Sequence, residues 1–319
     1  MLFVKDTPLD TALTMQTMID AVEDADRELA SGRGHDLPRR RIHHRNRMIF
    51  GLLPASYRGV MGVYLQTDLD RRLSHETVIL YSIETGEPLI LFQDCGINEL
   101  RTGAAGGVGA KYLARKDASR VAVLGSSIHA FTQLRAVCVV RPVRHVSIFS
   151  PTREHRLLFA EKVRSELGIE GISAESAEAA VDAADIVITA TNSNVPVFDG
   201  NWLRPGMHVT SISNGDRTRT RQEIDNTTIR RSDPVVITSK ETVCVNESDI
   251  FRAVREGVTS WDRVDEIGEL ILGKKPGRTS DAQITLYKLQ GTGIMDLAVA
   301  LRAYEALKDS SFVKKIMSV

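Results

Sequence analysis

The run VAVLGSSIHA, residues 121–130, has the form of an apolar strand that breaks at a glycine and opens a helix. A dinucleotide-binding turn reads G-x-G-x-x-G/A in that setting. Gly125 and Ala130 match its first and last positions, and Ser127 replaces the middle glycine. Serine is small, its hydroxyl can bond a phosphate oxygen, and a helix N-terminus there offers free N–H groups and a positive dipole end. The following strand, HVSIF at 145–149, ends at Ser150, with Thr152 and Arg153 just beyond. An NAD site usually places Asp or Glu at that point to hold the ribose 2′-OH. No acid stands here to repel a 2′-phosphate and an arginine can pair with one, so the pattern favours NADP(H) over NAD(H). The plain alternative makes Arg153 and Arg156 solvent-facing charges on a helix. Arg101 opens a Gly/Ala-rich run, RTGAAGGVGAKYLAR at 101–115. A guanidinium among small residues can clamp a carboxylate, although an exposed arginine at a helix start reads the same way. Asp216, in SNGDRTRTRQEID at 213–225, is a candidate acid/base if that loop lies at the carboxyl end of a parallel strand.

Other chemistries lack their residues. The cysteines at 95, 138 and 244 are odd in number and widely spaced, and no Cys/His cluster has zinc spacing, so no metal site is expected. They read as buried thiols of a reduced, cytoplasmic protein. No G-x-S-x-G nucleophile turn and no G-x4-G-K-[ST] phosphate loop occurs. Lys+Arg and Asp+Glu are 41 each, so bulk charge does not drive nucleic-acid binding and does not oppose self-association. Arg39, Arg40 and Arg41, with Arg45 and Arg47 after them, form a local basic cluster. No apolar run is long enough to span a membrane, and MLFVKDTPLD lacks the features of a signal peptide.

The elements that must position these residues are readable in outline. At 319 residues the chain is long enough for two domains. Residues 10–30 repeat apolar positions at helical spacing, with Asp10 as a cap. MIFGLL, VMGVYLQ, TVILYSI and PLILF, between 48 and 92, read as strands of a small antiparallel sheet. After Ser119 apolar strands alternate with helices, the mark of parallel βαβ units. A last helix over about 292–308 can return to the first domain. The expected fold is α/β: a Rossmann dinucleotide-binding domain over 117–289, and a smaller α+β substrate and dimerisation domain built from 1–116 and 290–319.

TGEPLILFQDCGINELRTGAAGGVGAKYLAR at 85–115 resembles the ornithine cyclodeaminase/mu-crystallin family. The likeness continues through VAVLGSSIHA, AADIVITATNSNVPVFDGNWLRPGMHV and DEIGELILGKKPGRTSDAQITLYKLQGTGIMDLAVA. The resemblance implies a homodimer whose Gly125, Ser126, Ser127, Ile128 and His129 hold the dinucleotide phosphates. It implies that Ser150, Thr152 and Arg153 face the adenosine ribose, and that Thr191, Asn192 and Ser193 run along the cofactor. Arg101 matches the arginine that binds the substrate carboxylate, and Arg40, give or take one residue, a second. The departures are specific. Gly62 stands where cyclodeaminases carry a catalytic lysine, Asp216 matches the catalytic aspartate only with a one-residue insertion, and Leu289 replaces a serine. Tyr64, on the same strand face as Gly62, is a substitute proton donor or a core residue. The expectation is an NAD(P)-dependent oxidoreductase acting at the C–N bond of a small amino or imino acid. The alternatives are an ornithine cyclodeaminase, and a non-catalytic protein that binds a dinucleotide and a ligand.

Overall fold

The computed structural model describes residues 1–45, 48–69, 73–213, 215, 221–310 and 314–315. Arg47 and Asp216 lie outside the described residues. In chain order the first elements are β1 (Leu2–Lys5), α1 (Met15–Ala30), β2 (His35–Asp36), β3 (Arg40–His44), β4 (Met48–Tyr57), β5 (Val60–Leu69), β6 (Leu73–Ser82), β7 (Pro88–Gln93) and α2 (Ile97–Leu113). Then strands and helices alternate through β8 (Arg120–Leu124), α3 (Ile128–Val140), β9 (His145–Phe149), α4 (Arg153–Leu167), β10 (Glu170–Ser173), α5 (Ala177–Asp182), β11 (Ile186–Thr189) and β12 (His208–Ser211). The chain continues with α6 (Asn226–Arg231), β13 (Val235–Ile237), α7 (Lys240–Asn246), α8 (Asp249–Arg255), β14 (Val264–Glu266), α9 (Ile267–Ile271), β15 (Thr285–Lys288), α10 (Gly293–Leu307) and β16 (Lys314–Lys315).

The chain divides into two compact units. Unit 1 comprises Met1–Arg101 and Gly291–Val319, and unit 2 comprises Thr102–Gln290. The first division falls within α2, earlier than the sequence reading placed it. The cause is the small-residue face of α2. A Cβ on Gly103 would sit 2.5 Å from the Thr132 carbonyl oxygen, and one on Gly109 would sit 2.2 Å from the Tyr287 ring. From Thr102 on, the helix therefore packs with unit 2.

Unit 1 carries an eight-stranded sheet in which β3 to β7 pair antiparallel in succession apart from β2, which also joins β4, while β1 adds in parallel to β7. Its inner face is apolar and buried, with Leu53, Tyr57, Tyr64, Val78, Leu80, Ile90 and Phe92 each at most 1% exposed. α10 lies against that face, and Gly293 is required because a Cβ there would meet the Leu53 carbonyl oxygen at 2.7 Å. α1 starts later than its apolar repeat suggests. Thr14, not Asp10, caps it by accepting from Thr17 N at 3.1 Å, and Asp10 lies in a separate short turn of helix.

Unit 2 is an all-parallel eight-stranded sheet in the order β10-β9-β8-β11-β12-β15-β13-β14. β8 and β11 are buried on both faces, which is why they read as continuous apolar runs rather than alternating ones. The strand order reverses between β8 and β11, and ligands of such sheets bind at that crevice beyond the carboxyl ends. Cys95 is buried, but Cys244 is exposed, contrary to the expectation of uniformly buried thiols. Among the described residues no helix is long and apolar enough to cross a membrane.

Candidate active site

In unit 1 the polar residues gather on the inner sheet face. Arg101, near the start of α2, is 3% exposed and donates from Nε to Asp296 Oδ1 at 2.7 Å. Its Nη2 donates to Asn98 Oδ1 at 2.5 Å. Gly291 lies against the guanidinium, where a Cβ would sit 2.2 Å from Nη1. Arg101 is thus not exposed. It is a buried cation held by Asp296 and Asn98. Asp296 is fully buried, and its Oδ2 has no hydrogen-bond partner among the described residues. Burial pushes its pKa up, against the pull of Arg101.

Strand parity decides which arginine joins this cluster. Arg40 pairs with Leu52 and Leu52 with Leu65, whereas Leu53 pairs with Tyr64. Cross-strand partners share a face, so Arg40 points away from Tyr64, and it is exposed. Arg39, one residue earlier and within the one-residue margin given for Arg40, lies with the cluster instead. Its charge is felt by Tyr64, Arg101, Asp296 and Asp36, its Nε is buried without a partner, and burial lowers its pKa. Tyr64 is 1% exposed, and burial together with the Glu76 and Asp296 charges raises its pKa well above the ordinary phenol range. Glu76, paired with Gln66 two positions along β5 from Tyr64, accepts from Ile97 N at 2.7 Å and Asn98 N at 3.1 Å and so caps α2. Burial and the charge of Glu99 push its pKa up to about 7, against the two N–H groups.

The position expected to hold a lysine in a cyclodeaminase cannot take a side chain on this backbone. A Cβ on Gly62 would lie 2.1 Å from the Ile79 carbonyl oxygen of the neighbouring strand.

In unit 2 the turn after β8 has the geometry of a dinucleotide cradle. Gly125 adopts φ +125°, and a Cβ there would sit 2.3 Å from the Ala190 carbonyl oxygen, so only glycine fits. Ser127 caps α3 by accepting from Ala130 N at 3.3 Å, which still leaves its hydroxyl proton to donate. Ser126 and Ser127 precede an exposed Ile128, and His129 lies on the first helical turn. The Ser126 hydroxyl donates to Ser150 Oγ at 3.2 Å, which brings the end of β9 beside the turn. Thr152 and Arg153 are exposed at the start of α4. Arg156 is not a solvent-facing charge: it is 7% exposed and donates to Ser150 O at 3.0 Å. These features fit a dinucleotide phosphate at the α3 N-terminus.

Thr191, Asn192 and Ser193 follow β11. The Thr191 hydroxyl is engaged with Glu223 at 3.0 Å and the Ser193 hydroxyl with Val195 O at 2.6 Å, while the Asn192 side chain is exposed. Two of the three side chains therefore shape the segment. Glu76, Glu223 and Asp296 were not singled out from the sequence, and Arg39 only as a neighbour of Arg40. The signal for Asp296 was present: a lone acid in the apolar run GIMDLAVAL implies a buried partner.

Residues 2–311 match the profile of the ornithine cyclodeaminase/mu-crystallin family, so the chain belongs to that family. A Delta(1)-pyrroline-2-carboxylate reductase of Bacillus cereus is 34% identical over 229 residues, 72% of this chain and 70% of its own. The structure of the Thermococcus litoralis Delta(1)-pyrroline-2-carboxylate reductase in complex with NADH and L-proline is 32% identical, with a TM-score of 0.93 over 99% of this chain and 100% of that one. An archaeal alanine dehydrogenase dimer with bound NAD is 30% identical, with a TM-score of 0.90 over 99% of each chain.

Proposed function

We propose that this chain is a nicotinamide-dependent oxidoreductase acting at the C–N bond of a small α-imino or α-amino acid. The observation that carries the reading is the buried Arg101–Asp296 pair with Arg39 beside it. Two cations set into an apolar sheet face suit a compact carboxylate. When bound, the nicotinamide supplies or accepts a hydride at the α-carbon. The chain's own residues then bind and orient the substrate, Arg101 and Arg39 through their guanidinium groups. Reduction of an imine also needs a proton at nitrogen. Tyr64 holds its proton at neutral pH, and Glu76, whose pKa is pushed up to about 7, is protonated in about half of the molecules there. A role for Asp216 in proton transfer stands on the sequence alone. Relatives that bind NADH with proline, or NAD, support this class of substrate and cofactor. Gly62 weighs against a cyclodeaminase, because the missing lysine cannot be restored without moving β6.

Purified protein is expected to oxidise NADH or NADPH with Delta(1)-pyrroline-2-carboxylate or with pyruvate plus ammonium. Arg101→Met should lower kcat/KM about 100-fold, the loss of one buried charge-assisted contact of about 2–3 kcal/mol. Binding of cofactor without turnover of any imine would overturn the reading in favour of a binding protein. Proline and ammonia formed from ornithine would overturn it in favour of a cyclodeaminase. The cofactor reading extends to NADP(H), because Ser150 ends β9 without an acid and Arg153 is exposed beside it. Arg153→Ala should then weaken NADPH and spare NADH in a titration of tryptophan fluorescence.

The same reading includes a homodimer. Pro54, Val63, Ile79, Leu91 and Phe3 lie side by side across five strands on the outer sheet face of unit 1, each only partly buried. A contiguous apolar row of that kind, on a chain without net charge, suits a second copy, and the alanine dehydrogenase relative is a dimer.

A further inference from the structure

Beyond the carboxyl ends of β11 and β12, a single buried carboxylate gathers the surrounding chain. Glu223 is fully buried. Its Oε1 accepts from Thr191 N at 2.5 Å and from the Thr191 hydroxyl at 3.0 Å. Its Oε2 accepts from the Thr189 and Ser211 hydroxyls at 2.9 Å each, from Ile212 N at 3.1 Å and from Ser213 N at 2.9 Å. Three of these six donors are backbone N–H groups, which cannot reverse their polarity. The direction of the Ser211 bond is fixed as well. Lys288, fully buried, donates from Nζ to Ser211 Oγ at 2.9 Å, so the one hydroxyl proton of Ser211 goes to Glu223. The main chain tightens the knot: Gln222 N donates to Ser193 O at 3.0 Å, and Val197 N to Glu223 O at 2.9 Å. The Arg221 guanidinium also donates to Asn192 O.

The sheet order says which part of a dinucleotide this knot would serve. β9, with Ser150 and Arg153 at its end, lies on one side of β8, and β11 and β12 lie on the other. A dinucleotide whose adenosine ribose is at β9 and whose phosphates are at the α3 N-terminus extends its other half toward β11 and β12. We propose that Glu223 is a positioning residue for the nicotinamide half of the cofactor, tying the Thr191–Ser193 segment to the ends of β11 and β12. It does not touch the cofactor itself. The inference rests on the reading that unit 2 binds a nicotinamide dinucleotide.

Glu223→Gln tests it, because the isosteric amide must turn an NH2 group either toward Thr191 N or toward Ile212 N and Ser213 N. Calorimetric titration compares two pairs of ligands, NADH with ADP and NADPH with 2′,5′-ADP; within each pair the second ligand lacks the nicotinamide half. The variant should bind the full dinucleotide about tenfold more weakly and the adenosine fragment less than twofold more weakly, as expected for the loss of about one buried hydrogen bond. Equal weakening of both, or no change in either, would overturn the proposal. Thr189→Val removes one donor without changing volume, and should show the same selectivity at about threefold; it decides the matter if Glu223→Gln does not fold. If the wild-type protein binds no member of either pair, the dinucleotide reading itself fails. If it binds both pairs and the variants show no selectivity, only the role of Glu223 fails.

Discussion

Truncating Arg101 removes the hydrogen-bonded partner of the buried Asp296 and leaves only the more distant charge of Arg39 near it. Breaking a buried pair from one side costs about 3–5 kcal/mol, whereas replacing both partners by apolar groups costs far less. Arg101→Met is therefore expected to lose several kcal/mol in urea denaturation, and Arg101→Met/Asp296→Leu to recover most of it. A double variant as unstable as the single one would show that Asp296 is stabilised by something other than Arg101. Glu76 gives a second residue-scale prediction. Its pKa is raised from 4.5 to about 7 in the folded chain, so the folded state binds the proton more tightly than the unfolded one. Stability from this group is full below about pH 4.5 and is lost as pH rises toward 7. Glu76→Gln should flatten the fall in unfolding free energy over that window, and an unchanged slope would contradict the shift. Glu99, Tyr64, Asp296, Arg101 and Cys95 are titratable groups close enough to share charge effects with it. Of this cluster the sequence pointed to Arg101 from its motif position and to Tyr64 from its place on the same strand face as Gly62. Glu76 was not, since one acid in an alternating strand looks like any solvent-facing residue.

α2 shows two element-scale effects in competition. Replacing Gly103 by alanine raises helix propensity by about 1 kcal/mol. The added Cβ would also lie 2.5 Å from the Thr132 carbonyl oxygen, a backbone atom that cannot swing aside. Overpacking costs about 1–3 kcal/mol, so Gly103→Ala should lower the melting temperature despite the better helix former. A rise would mean that the two helices separate freely. Gly62→Lys meets a similar barrier at Ile79, and is expected to destabilise the sheet without conferring cyclodeaminase turnover. The exchange of Arg40 for Arg39 also belongs to this scale. Three consecutive arginines carry no signal of which one enters the sheet face, and a one-residue shift in register reverses every side chain. Only the pairing of Leu53 with Tyr64 settles it.

The outer row of Pro54, Val63, Ile79, Leu91 and Phe3 makes a prediction for the whole molecule. Ile79→Arg should convert a dimer to a monomer in light scattering, with cofactor affinity retained. A wild-type protein that is monomeric at micromolar concentration would remove the assignment of this face. Much of the architecture was legible beforehand because it depends on local pattern. Buried parallel strands read as apolar runs, β8 ends at a glycine because the backbone must turn there, and a late apolar helix signals a return to the first unit. The sequence by itself therefore determined the family and the two-part α/β organisation, and it pointed to the glycine turn at Gly125–Ser127 and to Arg101 as candidate site residues. These follow from periodicity and from motifs whose members are close together in the chain. Tertiary structure alone decided that Arg39 rather than Arg40 faces the cluster, that Asp296 pairs with Arg101, that Gly62 leaves no room for a side chain, and that Glu223 collects six donors. Each of these depends on strand register or on a contact between residues far apart in sequence, and hydrophobic periodicity carries no information about such pairs.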